Sequence, residues 1–326
     1  MSKSADRGGK ITTAVVMDPI GSIKPYKDST FAMLLEAQRR GHEVLYMEPK
    51  DVELEGEEVL GRMAPVAVRD DNEDWYTLGE AVRRPMSEVD ILLMRRDPPF
   101  DMDYVYTTYL LELAQRRGVM VVNDPQALRD ANEKCFIAWF PQCCVPMAIT
   151  RRSESIRAFV DRHGLSVLKP LHGMGGESVF QLNPGDPNLN VIIETVTRNN
   201  RDQVMVQRYI PEISEGDKRV LLVDGEPAPY ALARMPGKGD FRGNLAKGGT
   251  GKAVPLSDRD RWLCEQVAPE LRKRGILFAG LDVIGDWLTE INVTSPTCIR
   301  ELDAAHGLNI AGDLFDVLEN RLATVR

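Results

Sequence analysis

The first apolar-rich run is ITTAVVM at 11–17, and a run without apolar–polar alternation is what a strand buried on both faces presents. After a loop from Asp18-Pro19-Ile20 to Lys27 the period changes. Phe31, Leu34 and Leu35 fall at helical spacing, behind Asp28-Ser29 as capping side chains and ahead of Gly41, placed where a left-handed residue ends a helix. A second block, HEVLYME at 42–48, completes a β-α-β unit, which predicts a parallel sheet with ligands at the carboxyl ends of its strands. Residues 49–88 are acidic and show no clear period. A third block, Val89 to Met94, is stopped by Pro98 and Pro99, so Arg95 is expected at the binding edge. A helix to Arg117, Gly118 and the strand VMVVN at 119–123 close this first unit.

Near residue 125 the pattern changes. A helical stretch leads to Asn132-Glu133-Lys134 and a short Cys/Pro-bearing link at 141–146. Beyond it come a helix at 154–163, the strand LSVLKPL at 165–171, a glycine loop at 173–178, the strand SVFQL, a helix at about 189–199 and the strand VMVQRYI at 204–210. The third stretch starts with KRVLLVDGEPAPYALAR, two strands about Asp224-Gly225, a strong hairpin signal. Counting outward from that turn pairs 223 with 226 and 219 with 230, with Arg234 beyond. Residues 236–251 hold six glycines and few apolar anchors, which predicts a mobile lid: such a segment buries too little surface to offset its ordering entropy. A helix with Trp262, Leu263 and Val267 inward, a hairpin at 280–297 and a helix at about 311–322 end the chain. These breaks divide it into 1–124, 125–210 and 211–326.

The last hairpin carries candidate chemistry. Glu290 and Asn292 are two apart, so on a strand both point to one face, and a carboxylate beside an amide oxygen suits a hard cation such as Mg²⁺. A lone Glu-x-Asn is more often a solvated strand face. A two-residue turn at Gly285-Asp286 would pair Asp282 with Thr289 and turn it away from Glu290. A three-residue turn, 285–287, would pair Asp282 with Glu290, and this second register is the one expected. Lys169 stands at a strand end before Gly173, Gly175 and Gly176, whose freed N–H groups can wrap phosphate oxygens, though alone such a loop is more often a plain turn. No Walker sequence is present. Lys134 by itself reads as a surface lysine. Arg219 and Arg234, on two limbs of one hairpin, could together hold a carboxylate or phosphoryl group, although hairpin arginines are usually solvated.

Bulk properties narrow the classes. The 326 residues exceed one core, and the 43% hydrophobic and 28% charged content rules out wholesale disorder. A net charge of −8 and no basic run argue against nucleic acid. The five cysteines form no C-x-x-C pair and the four histidines no ligand pair, so zinc is not expected and free thiols in a reducing cytoplasm are. No apolar run approaches the roughly 20 residues of a membrane span, and the N-terminus lacks a signal-peptide core. Residues 1–10 read as a frayed tail.

Taken together, VMDPI (16–20), KDSTFAMLLEAQRRG (27–41), LMRRDPPFD (93–101), NEKCF (132–136), LKPLHGMGGES (168–178), GDKRVLLVDGEP (216–227), RGNLAKGG (242–249) and LTEINVTSPTCIRE (288–301) make a collinear set covering 11 to 322. By these motifs the chain resembles the bacterial glutathione synthetases of the ATP-grasp superfamily. The resemblance implies an α/β ATP-grasp fold: an N-terminal parallel-sheet, Rossmann-like domain, a central lid domain and a C-terminal antiparallel-sheet domain. It implies ATP-dependent joining of γ-glutamylcysteine to glycine through an acyl phosphate, with Mg²⁺ or Mn²⁺, in a cytoplasmic homotetramer. Residue by residue, it gives Lys134 and Lys169 to the nucleotide phosphates, and Gln207, Arg208, Tyr209 and Ile210 to an adenine linker that uses backbone hydrogen bonds. Arg208, a bulky cation there, departs from the expected pattern without harm if only its backbone is read. Glu290 and Asn292, with Asp282 as a further candidate, match the metal ligands. Arg219, Arg234, Arg242 and Asn244 match the region of the peptide substrate and acyl phosphate, and Asp18, Ser29, Arg95, Ser295, Pro296 and Thr297 the substrate side. Such chemistry needs alignment and charge neutralisation rather than a covalent nucleophile. Cys298 is accordingly read as a buried or site-adjacent thiol. A ligase for another carboxylate and amine, or a silent ATP binder, remain the rival readings.

Overall fold

The computed structural model describes residues 10–173, 177–235 and 250–325. The expected frayed tail apart from Lys10, Gly175, Gly176, Arg242, Asn244 and all of the expected lid except Thr250 and Gly251 lie outside the described residues.

The first apolar block is β1 (Thr12–Val16), followed by α1 (Ser29–Arg39) and β2 (Glu43–Met47). Asp28 caps α1 by accepting from Phe31 N at 2.7 Å, and Gly41 (φ 81°) follows its end, as the sequence signals predict. The stretch without clear period, 49–88, is a meander of β3 (Val52–Glu55), β4 (Glu58–Val68), β5 (Tyr76–Leu78) and β6 (Val82–Pro85). Then come β7 (Ile91–Met94), α2 (Met102–Gln115), β8 (Met120–Val122) and α3 (Pro125–Asp130). β2, β1, β7 and β8 are mutually parallel, and the meander joins antiparallel through β4, giving eight strands.

A four-stranded antiparallel sheet follows, in the order β11-β10-β12-β9: β9 (Met147–Thr150), β10 (Ser166–Pro170), β11 (Phe180–Leu182) and β12 (Val204–Arg208). Two helices, α4 (Ser153–His163) and α5 (Leu189–Val196), cover one face. The third sheet is antiparallel: β13 (Asp217–Val223), β14 (Glu226–Pro227), β15 (Tyr230–Met235), β16 (Thr250–Pro255), β17 (Phe278–Ile284) and β18 (Trp287–Asn292), in the order β16-β15-β13-β17-β18 with β14 beside β13. Helix α6 (Asp258–Lys273) lies under it. Two helices close the chain, α7 (Ile299–His306) and α8 (Ile310–Val325), where one had been expected.

The apolar side chains form three cores. One packs Val220, Leu281, Val283 and Ile291 of the third sheet on Leu263 and Val267 of α6, and continues into Ala14, Leu92 and Val121 of the first sheet. A second joins the other face of the first sheet and α1 to Leu221, Phe278, α7 and α8. The third belongs to the middle sheet and its two helices alone, through Ile156, Val160, Leu168, Ile193 and Val206. Asn123, just after β8, ties the first and third sheets together. Its side-chain Nδ2 donates to Phe278 O and Val293 O, both at 2.7 Å, and its Oδ1 accepts from Leu277 N and Phe278 N.

Candidate active site

The third sheet presents one polar face. Directly paired residues share a face, and the ladder reads Arg219 opposite Asp282 and Asp282 opposite Glu290, with Asp217 opposite Arg234 and Gly280 opposite Asn292 alongside. Two sequence expectations are corrected here. Arg219 pairs with Leu232, not residue 230: the strand pairing breaks after Leu222–Pro227 and resumes with its register shifted by two, which brings Arg234 level with Asp217. The last hairpin follows neither simple register. Its turn is the two-residue one, with Ile284 opposite Trp287, yet Asp282 still faces Glu290 because a β-bulge at Thr289 absorbs the odd residue. The Thr289 hydroxyl secures that bulge by donating to Asp282 O at 3.0 Å.

On this face the charges alternate. Arg219 grips Asp282 with two hydrogen bonds, through Nε to Oδ1 and through Nη2 to Oδ2 at 2.8 Å. Arg234 grips Asp217 with two more, 2.9 and 2.5 Å, and reaches Asp282 Oδ2 at 3.0 Å. Burial by itself would raise the Asp282 carboxyl, but the two guanidiniums hold it well below the usual range. Burial raises Asp217 in spite of Arg234. Gly280 makes room for this: a Cβ there would meet Arg219 Cδ at 2.8 Å. Asn292 donates Nδ2 to Asp282 Oδ2 at 3.4 Å, which turns its amide oxygen the other way. Among the described residues Glu290 has one ionic partner, Lys134 Nζ at 3.9 Å, and no hydrogen bond.

Facing this sheet are the two lysines. Lys134 is only 4% exposed, against its reading as a surface residue. Asn132 fixes its backbone by accepting from Lys134 N and Cys135 N, while Ile291 N donates to Glu133 O at 2.9 Å and ties the turn to β18. Lys134 Nζ donates to the Glu133 carboxylate and to Gly173 O at 3.1 Å. Burial pulls its pKa down, but Glu290 and Glu133 more than offset that and it is raised. The Glu133 carboxyl is raised by burial and by the charge of Glu290. Lys169 pairs with Met205, so it shares a face with Gln207, opposite the face that packs Leu168 and Val206 into the middle core. Burial lowers its pKa, with Glu290 opposing. Gln207 is 2% exposed and its Nε2 has no partner among the described residues. In the segment after it, Arg208 N and Tyr209 N donate to Pro146 O and Leu165 O, while Ile210 N finds no acceptor among the described residues.

At the carboxyl ends of the parallel strands, the expected substrate-side residues meet the loop after β18. Arg95 is 6% exposed and donates to Thr30 Oγ1 at 3.0 Å and Pro296 O at 2.9 Å. Ser295 Oγ contacts Arg95 O at 3.5 Å, and Asp18 Oδ2 accepts from Asp97 N at 2.8 Å. Ser29 is 1% exposed and accepts from Ile299 N at 3.1 Å. Ser29 and the Arg95 guanidinium thus brace the wall, whereas Asp18, Ser295 and Thr297 keep part of their surface open. Cys298 is buried, with φ 95°, and burial raises its thiol pKa, which fits a wall residue and not a nucleophile. Sequence reasoning singled out neither Glu133 nor Asp217. Both lay inside quoted motifs, beside Lys134 and two residues before Arg219.

A parallel-sheet unit, two facing antiparallel sheets and lysines opposed to a carboxylate-and-amide strand define an ATP-grasp ligase. The D-cycloserine synthetase DcsG shares this fold at a TM-score of 0.68 and 13% identity, over 95% of this chain and 99% of that one. The ATP-grasp ligase PsnB shares it at 0.60 and 17%, over 95% and 98%. Residues 11–129 match the prokaryotic glutathione synthetase N-terminal domain and residues 133–307 its ATP-grasp domain. A glutathione synthetase of Xanthomonas axonopodis is 57% identical over 95% of this chain and 98% of its own length, and one of Coxiella burnetii 54% over 96% and 98%. The chain belongs to the prokaryotic glutathione synthetase family, and it is an ATP-dependent ligase.

Proposed function

We propose that the chain joins γ-glutamylcysteine to glycine, consuming ATP and releasing ADP and phosphate. The observation that carries this reading is the opposition of Lys134 and Lys169 to the Arg219–Asp282–Arg234 face with Glu290 and Asn292 beside it. A carboxylate is a poor acyl donor. In this reading the dipeptide's cysteinyl carboxylate attacks the γ-phosphorus of ATP, and glycine's amine then displaces phosphate from the acyl phosphate. Lys134 and Lys169 bind the nucleotide phosphates, with Gly173, Gly175 and Gly176 beside them. Adenine lies along 207–210, where Ile210 N and Gln207 Nε2, each without a partner among the described residues, can read it. Arg219 and Arg234, held in place by Asp282 and Asp217, stabilise charge on the acyl phosphate and its tetrahedral successor; by the family resemblance Arg242 and Asn244 serve the same step. Asp18, Arg95, Ser29 and the Ser295-Pro296-Thr297 turn bound the dipeptide.

The donor set fits Mg²⁺ or Mn²⁺: Glu290 offers an almost unencumbered carboxylate and Asn292 an amide oxygen, both hard ligands. Asp282, already committed to two arginines, is the less available third ligand. Such an ion would neutralise phosphate charge. The working units in this reading are 1–124, 125–210 and 211–326. The assembly is a homotetramer and the location cytoplasmic. Among the described residues no helix is long and apolar enough to cross a membrane.

The test is ADP release with ATP, Mg²⁺, γ-glutamylcysteine and glycine, with the tripeptide measured by mass spectrometry. Equal ADP and tripeptide, and none when either substrate is left out, is expected. ADP release that ignores γ-glutamylcysteine but responds to another carboxylate would overturn the substrate assignment.

A further inference from the structure

Side chains of adjacent residues normally diverge, yet those of Glu133 and Lys134 converge on one point. Lys134 Nζ sits between two carboxylates of unequal proximity: Glu133 is in hydrogen-bond contact and Glu290 is 3.9 Å away. An ammonium has three donors. One goes to Glu133 and one to Gly173 O. The geometry leaves the third on the Glu290 side, too far for a hydrogen bond. Lys134 is almost fully buried, and Glu133 and Glu290 are each about a quarter exposed or less, 21% and 23%. In that setting an ammonium moves to whichever carboxylate is left to it. The backbone of Glu133 is also fixed to β18 by Ile291 N, so the Glu133 side chain is rooted beside the Glu290 strand.

We propose that Glu133 is a positioning residue that holds Lys134 off Glu290, so that the Glu290 carboxylate stays open to a divalent cation. The inference rests on the reading of Glu290 as a metal ligand and Lys134 as a phosphate ligand. Glu133 occupies Lys134 in the free chain and yields it to the more highly charged nucleotide phosphates. Without the Glu133 charge, Lys134 has one carboxylate within reach and closes on Glu290, competing with the cation for the same oxygens.

Mn²⁺ alone, titrated into the nucleotide-free chain and followed by its electron paramagnetic resonance signal, tests this without turnover. Glu133→Gln should weaken Mn²⁺ binding about tenfold, the equivalent of about 1.4 kcal/mol. The decisive arm is the double variant Glu133→Gln with Lys134→Met, which should bind Mn²⁺ as the Lys134→Met single variant does. A misfolded protein cannot show that recovery, and a structural role for Glu133 would not produce it. Unchanged binding in Glu133→Gln overturns the proposal. So does loss that the second substitution fails to restore, which would make Glu133 a ligand itself, and so does a wild-type chain that binds no Mn²⁺ up to about 10 mM, beyond the weak end of carboxylate sites. Glu290→Gln distinguishes the underlying reading: if it binds Mn²⁺ like wild type, the metal assignment fails, whatever Glu133 does.

Discussion

Replacing Asp282 by Asn separates two roles that share one sheet face. Asp282 is 5% exposed and accepts from Arg219 twice and from Arg234 once, and each arginine is itself 7% exposed. Arg234 keeps Asp217 after the substitution, but Arg219 loses its carboxylate and is left as a buried, uncompensated cation. Breaking a buried pair in this way costs about 3–5 kcal/mol. At about 2 °C per kcal/mol for a chain of this size, the melting temperature should fall by about 6–10 °C. Glu290→Gln is the control. Its carboxylate is 23% exposed and 3.9 Å from its one ionic partner among the described residues. That loss is worth at most about 1 kcal/mol. Both variants should lose about a hundredfold or more in ADP release. Melting followed by circular dichroism at pH 7, beside that assay, gives the comparison. Because the folded pKa of Asp282 is depressed, its contribution is complete above the unfolded value of about 3.9 and is lost as pH falls toward the folded one. The gap between wild type and Asp282→Asn should therefore narrow below about pH 4. An Asp282→Asn protein that melts with wild type at pH 7, or a Glu290→Gln protein that falls as far, would refute the reasoning.

Three further substitutions read other parts of the molecule. Lys169→Ala should raise the KM for ATP well above any change for γ-glutamylcysteine, and a change confined to the dipeptide would contradict its placement. Glu36, which holds Arg39 and Arg40 and whose pKa is lowered to about 2, should contribute about 1–2 kcal/mol at pH 7 after solvent screening at exposed Arg39. That contribution is present above about pH 4.5 and lost toward pH 2, so wild type and Glu36→Gln should differ in urea midpoint at neutral pH and converge in acid. Asn123→Ala strands four buried backbone groups and should cost about 2–4 kcal/mol by urea unfolding, whereas a loss below 1 kcal/mol would show water replacing the amide.

The buried parallel strands were legible because a strand covered on both faces carries an unbroken apolar run, as at 14–17 and 91–94. The meander at 49–88 was not, since its strands lie at an edge where one face meets water and charges such as Glu53, Glu55 and Arg83 pair across it. Glu290 and Asn292 could be placed on one face by parity alone. Asp282 could not, because a bulge changes parity without leaving a mark in the residue types, and turn chemistry and pairing had to be reconciled in three dimensions. The offset of Arg219 from its counted partner differs: the limb breaks between Pro227 and Tyr230, and the shift of two residues keeps parity. Glu133 and Asp217 escaped notice because acidic neighbours of basic residues are common on any surface. Only burial distinguishes these two.

Asn123 has a mechanical consequence. Its four hydrogen bonds, with two cores that each run through both the first and third sheets, weld those sheets into a single plate. The middle sheet keeps a core of its own, and reaches the plate's interior through Met205, with half-buried Met147 against it. Any large opening must therefore swing the middle leaf on its two connections, near residues 141–146 and 209–216. Lys169 and the 207–210 segment travel with that leaf. Arg95, Arg219 and Glu290 stay on the plate at constant separation. In the proposed reading the nucleotide's purine end and its reacting phosphate would be carried by different bodies, and the distance between Lys169 and Glu290 would report any such opening.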